Sequence, residues 1–215
     1  AFLCALDSLR HTGHGYPVNL RFLLEGEEEI GSPNLEAFLV QHKNRIQCDA
    51  VLNCDGGIRS EDIPSLTYGL RGLAYFELEI LGPSSDLHSG VFGGAVHTPL
   101  QVLADLLAGM HDADGAVTLP GFYEDVLPLT DTERAVINAM PMKEEEWNQL
   151  AGVSASWGEK GYTLLERTGA RPTLEINGMW GGFIGEGAKT VLPEKAAAKL
   201  SMRLVPNQNP DAVEA

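Results

Sequence analysis

The residues with the most chemical potential form a run of carboxylates, Glu25-Gly26-Glu27-Glu28-Glu29-Ile30-Gly31-Ser32. Most glutamate runs are solvated charge clusters. Two features set this one apart. It directly follows an apolar stretch, 18–24, that alternates around Leu20, Phe22 and Leu24 and predicts a buried strand. It is also bracketed by Gly26 and Gly31, which permit backbone angles that other residues avoid. Carboxylates that face one pocket repel each other unless a cation stands between them, and a divalent metal is the natural cation. Asp55 supplies a further carboxylate after a second short apolar stretch, 50–53. Spacing alone leaves a metal site and a solvated acidic surface as equal alternatives.

Elements must hold these groups in place. Phe2, Leu3, Leu6 and Leu9 have helical spacing over residues 1–12, and residues 11–17 read as a Gly-rich loop. Residues 34–42 predict a helix with Ser32-Pro33 as its N-cap and first position. The order helix, strand, helix, strand predicts a parallel sheet with helices on its faces, and ligands of such sheets bind beyond the carboxyl ends of the strands. Glu28, Glu29 and Asp55 are expected there. The pattern changes near Leu66. Residues 73–81 set Ala74, Phe76, Leu78 and Ile80 against Tyr75, Glu77, Glu79 and Leu81, the alternation of a half-buried antiparallel strand. Residues 96–110 carry a helical apolar stripe. Residues 111–155 hold two acidic, Pro-containing stretches and read as an irregular insert. A helix over 160–167 and strands over 172–180 and 196–205 complete a small α+β domain.

Composition limits the function classes. The chain is 44% hydrophobic and 21% charged, which suits a globular fold with a sizeable core and not a disordered segment. Its formal net charge of −15 argues against nucleic acid and against anionic membranes, both of which recruit clustered Lys and Arg. No apolar run reaches the roughly 20 residues that span a bilayer, and no signal peptide is visible. Cys4, Cys48 and Cys54 are odd in number and lack the spacing of a zinc ribbon or a redox pair, so they read as buried, reduced thiols of a cytoplasmic protein. The sequence opens in helix-like residues without Met, as expected of a piece of a longer protein.

The remaining candidates are weaker on residue type alone. His88 between Leu87 and Ser89 reads as a surface or capping residue, and Arg203 on a strand as a partner for one of the many acids. His11 and His14 read as surface histidines of a loop, and His42, His97 and His111 receive no role. Residues 182–190, Gly-Phe-Ile-Gly-Glu-Gly-Ala-Lys-Thr, are similar to a phosphate-binding loop. However, Ala188 separates the last Gly from Lys189, and the run continues into Val191-Leu192-Pro193 with no helix to hold phosphate. A Gly-rich turn is the better reading.

The string Glu-Gly-x-Glu-Glu-x-Gly-Ser resembles the active-site run of the carnosinase and cytosolic non-specific dipeptidase group. That group belongs to the superfamily of acetylornithine deacetylase, succinyl-diaminopimelate desuccinylase and bacterial glutamate carboxypeptidase. Further strings match in the same order: Asp55 after a strand, Thr67-Tyr68-Gly69-Leu70-Arg71-Gly72, Asp86-Leu87-His88-Ser89-Gly90, Gly187-Ala188-Lys189-Thr190-Val191-Leu192-Pro193 and Arg203-Leu204-Val205-Pro206. Each is weak alone, and the ordered set is specific.

The resemblance implies roles. Glu28 would be the general base acting on a water between two divalent metal ions, zinc or alternatively manganese. Glu29 would ligate one ion and Asp55 the other. His88, on a lid, would reach into the active site of a partner subunit and stabilise the tetrahedral oxyanion. Thr190 would contact the substrate from the lid, and Arg203 would hold its carboxylate. Such enzymes also need an upstream His, a bridging Asp and a downstream His, none of which has a counterpart here. The expected architecture is an incomplete α/β catalytic segment over residues 1–66. It is followed over 67–215 by a ferredoxin-like α+β lid and dimerisation domain that stops inside its last helix. The implied protein is a homodimeric metallopeptidase cleaving dipeptides or N-acyl amino acids next to a free carboxylate. The rivals are a non-catalytic dimerisation module and a nucleotide binder using 182–190.

Overall fold

The computed structural model describes residues 2–13, 15–53, 55–56 and 66–214; His14 and Cys54 lie outside the described residues. The chain divides into two compact units, Ala1–Ile63 and Pro64–Ala215.

The larger unit is built on the alternation that begins at Leu73. Strand β1 (Gly72–Leu81) turns Ala74, Phe76, Leu78 and Ile80 to the core, as its period of two dictates. The two-residue strand β2 (Leu87–His88) and the one-turn helix α4 (Ser89–Phe92) follow. Helix α5 (Pro99–Ala108) starts with Pro at its first turn, where a missing N–H costs nothing. Strands β3 (Thr173–Gly181), β4 (Val191–Leu192) and β5 (Lys195–Leu204) come next, and helix α9 (Pro210–Glu214) follows them. The sheet is antiparallel with order β1-β5-β3, while β2 pairs separately with β4. The order β1, α5, β3, β5, α9 reproduces the first five elements of the ferredoxin-like β-α-β-β-α-β pattern.

Central strand β5 places Ala196, Ala198, Leu200, Met202 and Leu204 against α5, whose Leu103 and Leu107 are fully or almost fully buried. Each such leucine stabilises the fold by about 1.5–3 kcal/mol. On the opposite face of the sheet, Lys195 pairs with Glu79 at 2.8 Å and Lys199 with Glu77 at 3.9 Å. A register shift between Ile176 and Gly178 bends edge strand β3.

The insert differs from expectation. It contains helices α6 (Asp131–Asn138) and α7 (Glu144–Ala151), and after it comes helix α8 (Leu164–Gly169), which overlaps the helix expected over 160–167. These helices are short, so their apolar periodicity is faint, but two carry readable caps. Thr130 and Glu133 form a capping box, as do Thr163 and Glu166. Glu166 is fully buried and accepts hydrogen bonds from Asn138 Nδ2 at 3.0 Å and from the Thr163 N–H at 2.9 Å. Arg171 donates two bonds to Glu159, both 2.7 Å, and stacks between Tyr123 and Tyr162. This polar cluster fixes the insert where apolar residues are few.

In the smaller unit, helices α1 (Phe2–His11), α2 (Leu35–Gln41) and α3 (Lys43–Ile46) form. The expected parallel sheet does not: residues 18–24 and 50–53 are in no ladder among the described residues. A parallel strand is stable only with hydrogen-bonded neighbours and covered faces, and these two segments are supplied with neither. Leu24 is accordingly 91% exposed and Val51 85%. Cys4 and Cys48 are free but exposed, not buried as expected, because none of the described residues of this unit is fully buried. Helix α2 begins later than expected. Gly31 and Ser32 take positive φ, so the turn extends and Asn34 becomes the N-cap.

Candidate active site

The β2–β4 ribbon sets the geometry around His88. His88 faces Val191 in register, and the Ser89 N–H donates to the Thr190 carbonyl at 3.0 Å. The two side chains, 102 residues apart in sequence, therefore meet: His88 Nε2 lies 3.1 Å from Thr190 Oγ1. The other ring nitrogen, Nδ1, accepts the Gly90 N–H at 3.0 Å, which also caps α4. Asp86 ties the ribbon to the sheet by accepting the Glu194 N–H at 3.1 Å, and the Gly82 N–H donates to the Glu194 carbonyl at 2.7 Å. Gly82 is required here, because a Cβ would lie 2.3 Å from Pro99 Cγ. His88 and Thr190 are both exposed, so the pair is open to a ligand.

Arg203 is elsewhere. It sits at the far end of β5, opposite Leu73 on one side and Thr173 on the other. Lys195, beside the ribbon, and Arg203 are eight residues apart on one extended strand, so about 26 Å of strand separates them at roughly 3.3 Å per residue. Arg71, which directly precedes β1, is near enough to Arg203 for their charges to interact, a neighbour that residue-type reasoning passed over. Burial holds the Arg71 guanidinium below its ordinary value, the charge of Arg203 lowers it further, and Glu175 opposes both. Arg71 Nη1 also donates to the Arg171 carbonyl at 3.4 Å.

In the smaller unit the glutamate run forms a 3-10 turn, Glu28–Ile30. The Gly31 N–H closes it on the Glu28 carbonyl at 2.9 Å, with Gly31 at φ 86°. The Glu27 carboxylate is engaged by Asn34 Nδ2 at 3.0 and 2.9 Å. Glu28 and Glu29 are exposed, and neither carboxylate has a partner among the described residues. The Asp55 N–H donates to Asn53 Oδ1 at 2.8 Å. Among the described residues no three His, Cys, Asp or Glu side chains converge as a metal-binding group, so Glu28, Glu29 and Asp55 are not gathered into one. A catalytic zinc site takes three protein ligands and readily uses nitrogen, whereas the donors here are oxygen alone and too few. Carboxylate oxygens suit a divalent ion, so Glu29 and Asp55 would supply part of a metal site and leave it incomplete.

The run 182–190 feeds strand β4, so no helix N-terminus follows it to hold a phosphate. No helix among the described residues is long and apolar enough to cross a membrane.

The Peptidase dimerisation domain family matches residues 68–215. The Cys-Gly metallodipeptidase dug1 of Schizosaccharomyces pombe is 36% identical over 99% of the chain and 45% of its own length. The Beta-Ala-His dipeptidase of Homo sapiens is 36% identical over 100% of the chain and 43% of its own length. Among solved structures, the M20 family metallo-carboxypeptidase Sso-CP2 from Sulfolobus solfataricus superposes with a TM-score of 0.79 at 35% identity, covering 99% of this chain and 48% of that one. The chain thus spans less than half the length of these relatives.

Proposed function

This chain belongs to the Peptidase dimerisation domain family, and from that premise we propose that it is part of a homodimeric, dinuclear metal-dependent peptidase cleaving dipeptides or N-acyl amino acids beside a free carboxylate. The observation that carries this reading is the division of the implied substrate-binding residues. His88 and Thr190 form a joined pair on the β2–β4 ribbon, which leads through Glu194 into the start of β5, and Arg203 stands near the other end of β5, about 26 Å of strand beyond Lys195. A dipeptide spans about 7 Å at most. A substrate of that length does not span β5, and two copies arranged about a two-fold axis would bring one group from each to a single substrate.

In this site Arg203 binds the substrate carboxylate through its planar fork of donors. His88 and Thr190 of the other copy supply hydrogen-bond donors to the oxygen that becomes negative as the amide carbon turns tetrahedral. Glu28 takes a proton from the attacking water and returns it to the leaving amine. Glu29 and Asp55 would serve as ligands to the two divalent ions, zinc or manganese, with the remaining ligands assigned to sequence beyond residues 1–215. Bound there, the ions would polarise the scissile carbonyl and acidify water. Domain limits of 1–66 and 67–215 and a cytoplasmic location belong to the same proposal.

The test uses the whole enzyme. Glu28→Gln should retain its metal while turnover falls at least about 10²-fold, the usual contribution of a general base. Glu29→Gln should lose metal. Equal metal loss in both variants would refute the division of roles.

A further inference from the structure

Outside the implied site residues, one backbone group governs what His88 can do. A neutral imidazole carries one proton, and which nitrogen holds it follows from the partners of the ring. Nδ1 faces the Gly90 N–H at 3.0 Å. A backbone amide can only donate, so Nδ1 must be the bare, accepting nitrogen and Nε2 must hold the proton. The partner of Nε2 is the Thr190 hydroxyl at 3.1 Å, which can accept that proton's bond and turn its own O–H outward.

Space reinforces the same arrangement. A Cβ built on Gly90 would lie 2.8 Å from His88 Cε1 and 3.0 Å from Nδ1. Gly90 is not in the left-handed region, so alanine would fit the backbone there. Only the imidazole stands in the way. A side chain at position 90 therefore spares the fold and displaces the ring.

We infer that Gly90 is a positioning residue: its N–H fixes His88 as the Nε2–H tautomer, and its missing side chain leaves room for the ring beside Thr190. This deepens the proposed function, since it rests on His88 acting as a donor to a developing oxyanion. Without the Gly90 contact the ring could carry its proton on Nδ1 and offer Nε2 as an acceptor, which would repel an oxyanion.

The tautomer is read directly from long-range proton–nitrogen NMR spectra of the imidazole rings, with His88→Gln identifying the signal. In the wild-type protein His88 should show the Nε2–H pattern alone. Thr190→Val should keep that pattern, because the Gly90 N–H is untouched. Gly90→Ala should lose it while the melting temperature holds or rises. In the whole enzyme Gly90→Ala should lower kcat about 10²-fold, as removal of one oxyanion donor does, with KM and metal content unchanged. A wild-type Nδ1–H pattern, or an unaltered pattern in a folded Gly90→Ala, overturns the inference. If Gly90→Ala fails to fold, the wild-type and Thr190→Val spectra still decide it. A pattern that changes as expected with kcat untouched upholds the role of Gly90 and refutes His88 as the oxyanion donor.

Discussion

His88→Ala and Arg203→Ala should each inactivate the whole enzyme, and mixing the two inactive proteins should restore activity. Removing an oxyanion donor costs about 10²–10³-fold in kcat. Removing a charged hydrogen-bond partner of the substrate costs about 1.5–3 kcal/mol, roughly 10–150-fold in kcat/KM. His88 sits on the ribbon that leads into the start of β5, and Arg203 lies near the other end of that strand, about 26 Å from Lys195, so the two residues are expected to act on different substrates or across two copies. In a mixed dimer, one site then combines both defects, and the other receives Arg203 from the His88→Ala copy and His88 from the Arg203→Ala copy. Equal mixing gives about half mixed dimers with one whole site each, so roughly a quarter of all sites recover. The assay is dipeptide hydrolysis after subunit exchange, with mixed dimers quantified by differential tags. The control is wild type mixed with the His88→Ala/Arg203→Ala double variant, whose mixed dimers should hold no whole site. If the first mixture stays inactive despite proven exchange, and mixed dimers of the control keep half their activity, both residues serve one site of their own chain and the reasoning from strand length fails.

Further tests bear on the metal and on the fold. The 215-residue protein, purified with zinc or manganese, should hold less than one ion per chain by elemental analysis and show no dipeptide turnover, since among the described residues no three-donor group is present; stoichiometric metal would refute this. Leu103→Ala should destabilise the larger unit by about 2–5 kcal/mol in denaturant unfolding, because Leu103 is wholly buried between α5 and the sheet. The Glu133 carboxyl is held below its ordinary range first by the Thr130 N–H and then by the Thr130 hydroxyl. A depressed folded-state pKa contributes stability above the unfolded value that is lost as pH falls through the folded one. Glu133→Gln should remove that part of the acid dependence, and an unchanged unfolding curve against pH would contradict the capping contact.

What the sequence made legible, and what it did not, follows from the range of the forces involved. The strand at Leu73–Leu81 is local: a period of two with one apolar face admits one orientation, and β1 has that face inward. Helices α6 and α7 escaped notice because eight residues give little periodicity, although Thr130-x-x-Glu133 was there to be read as a capping box. The parallel sheet, which is absent among the described residues, was not legible for the opposite reason. Residues 18–24 have the composition of a strand, but a strand is a property of a pair, and no local pattern supplies a partner. The candidate site divides along the same line. His88 and Thr190 were named separately from a resemblance, yet their contact depends on a two-residue ribbon joining positions 102 apart, with no periodic signal of its own. The length of strand between Lys195 and Arg203, in contrast, was latent in the sequence once residues 196–205 were read as one unbroken strand, because a strand of known length is a ruler. That length turns two residues of one chain into an argument for two chains.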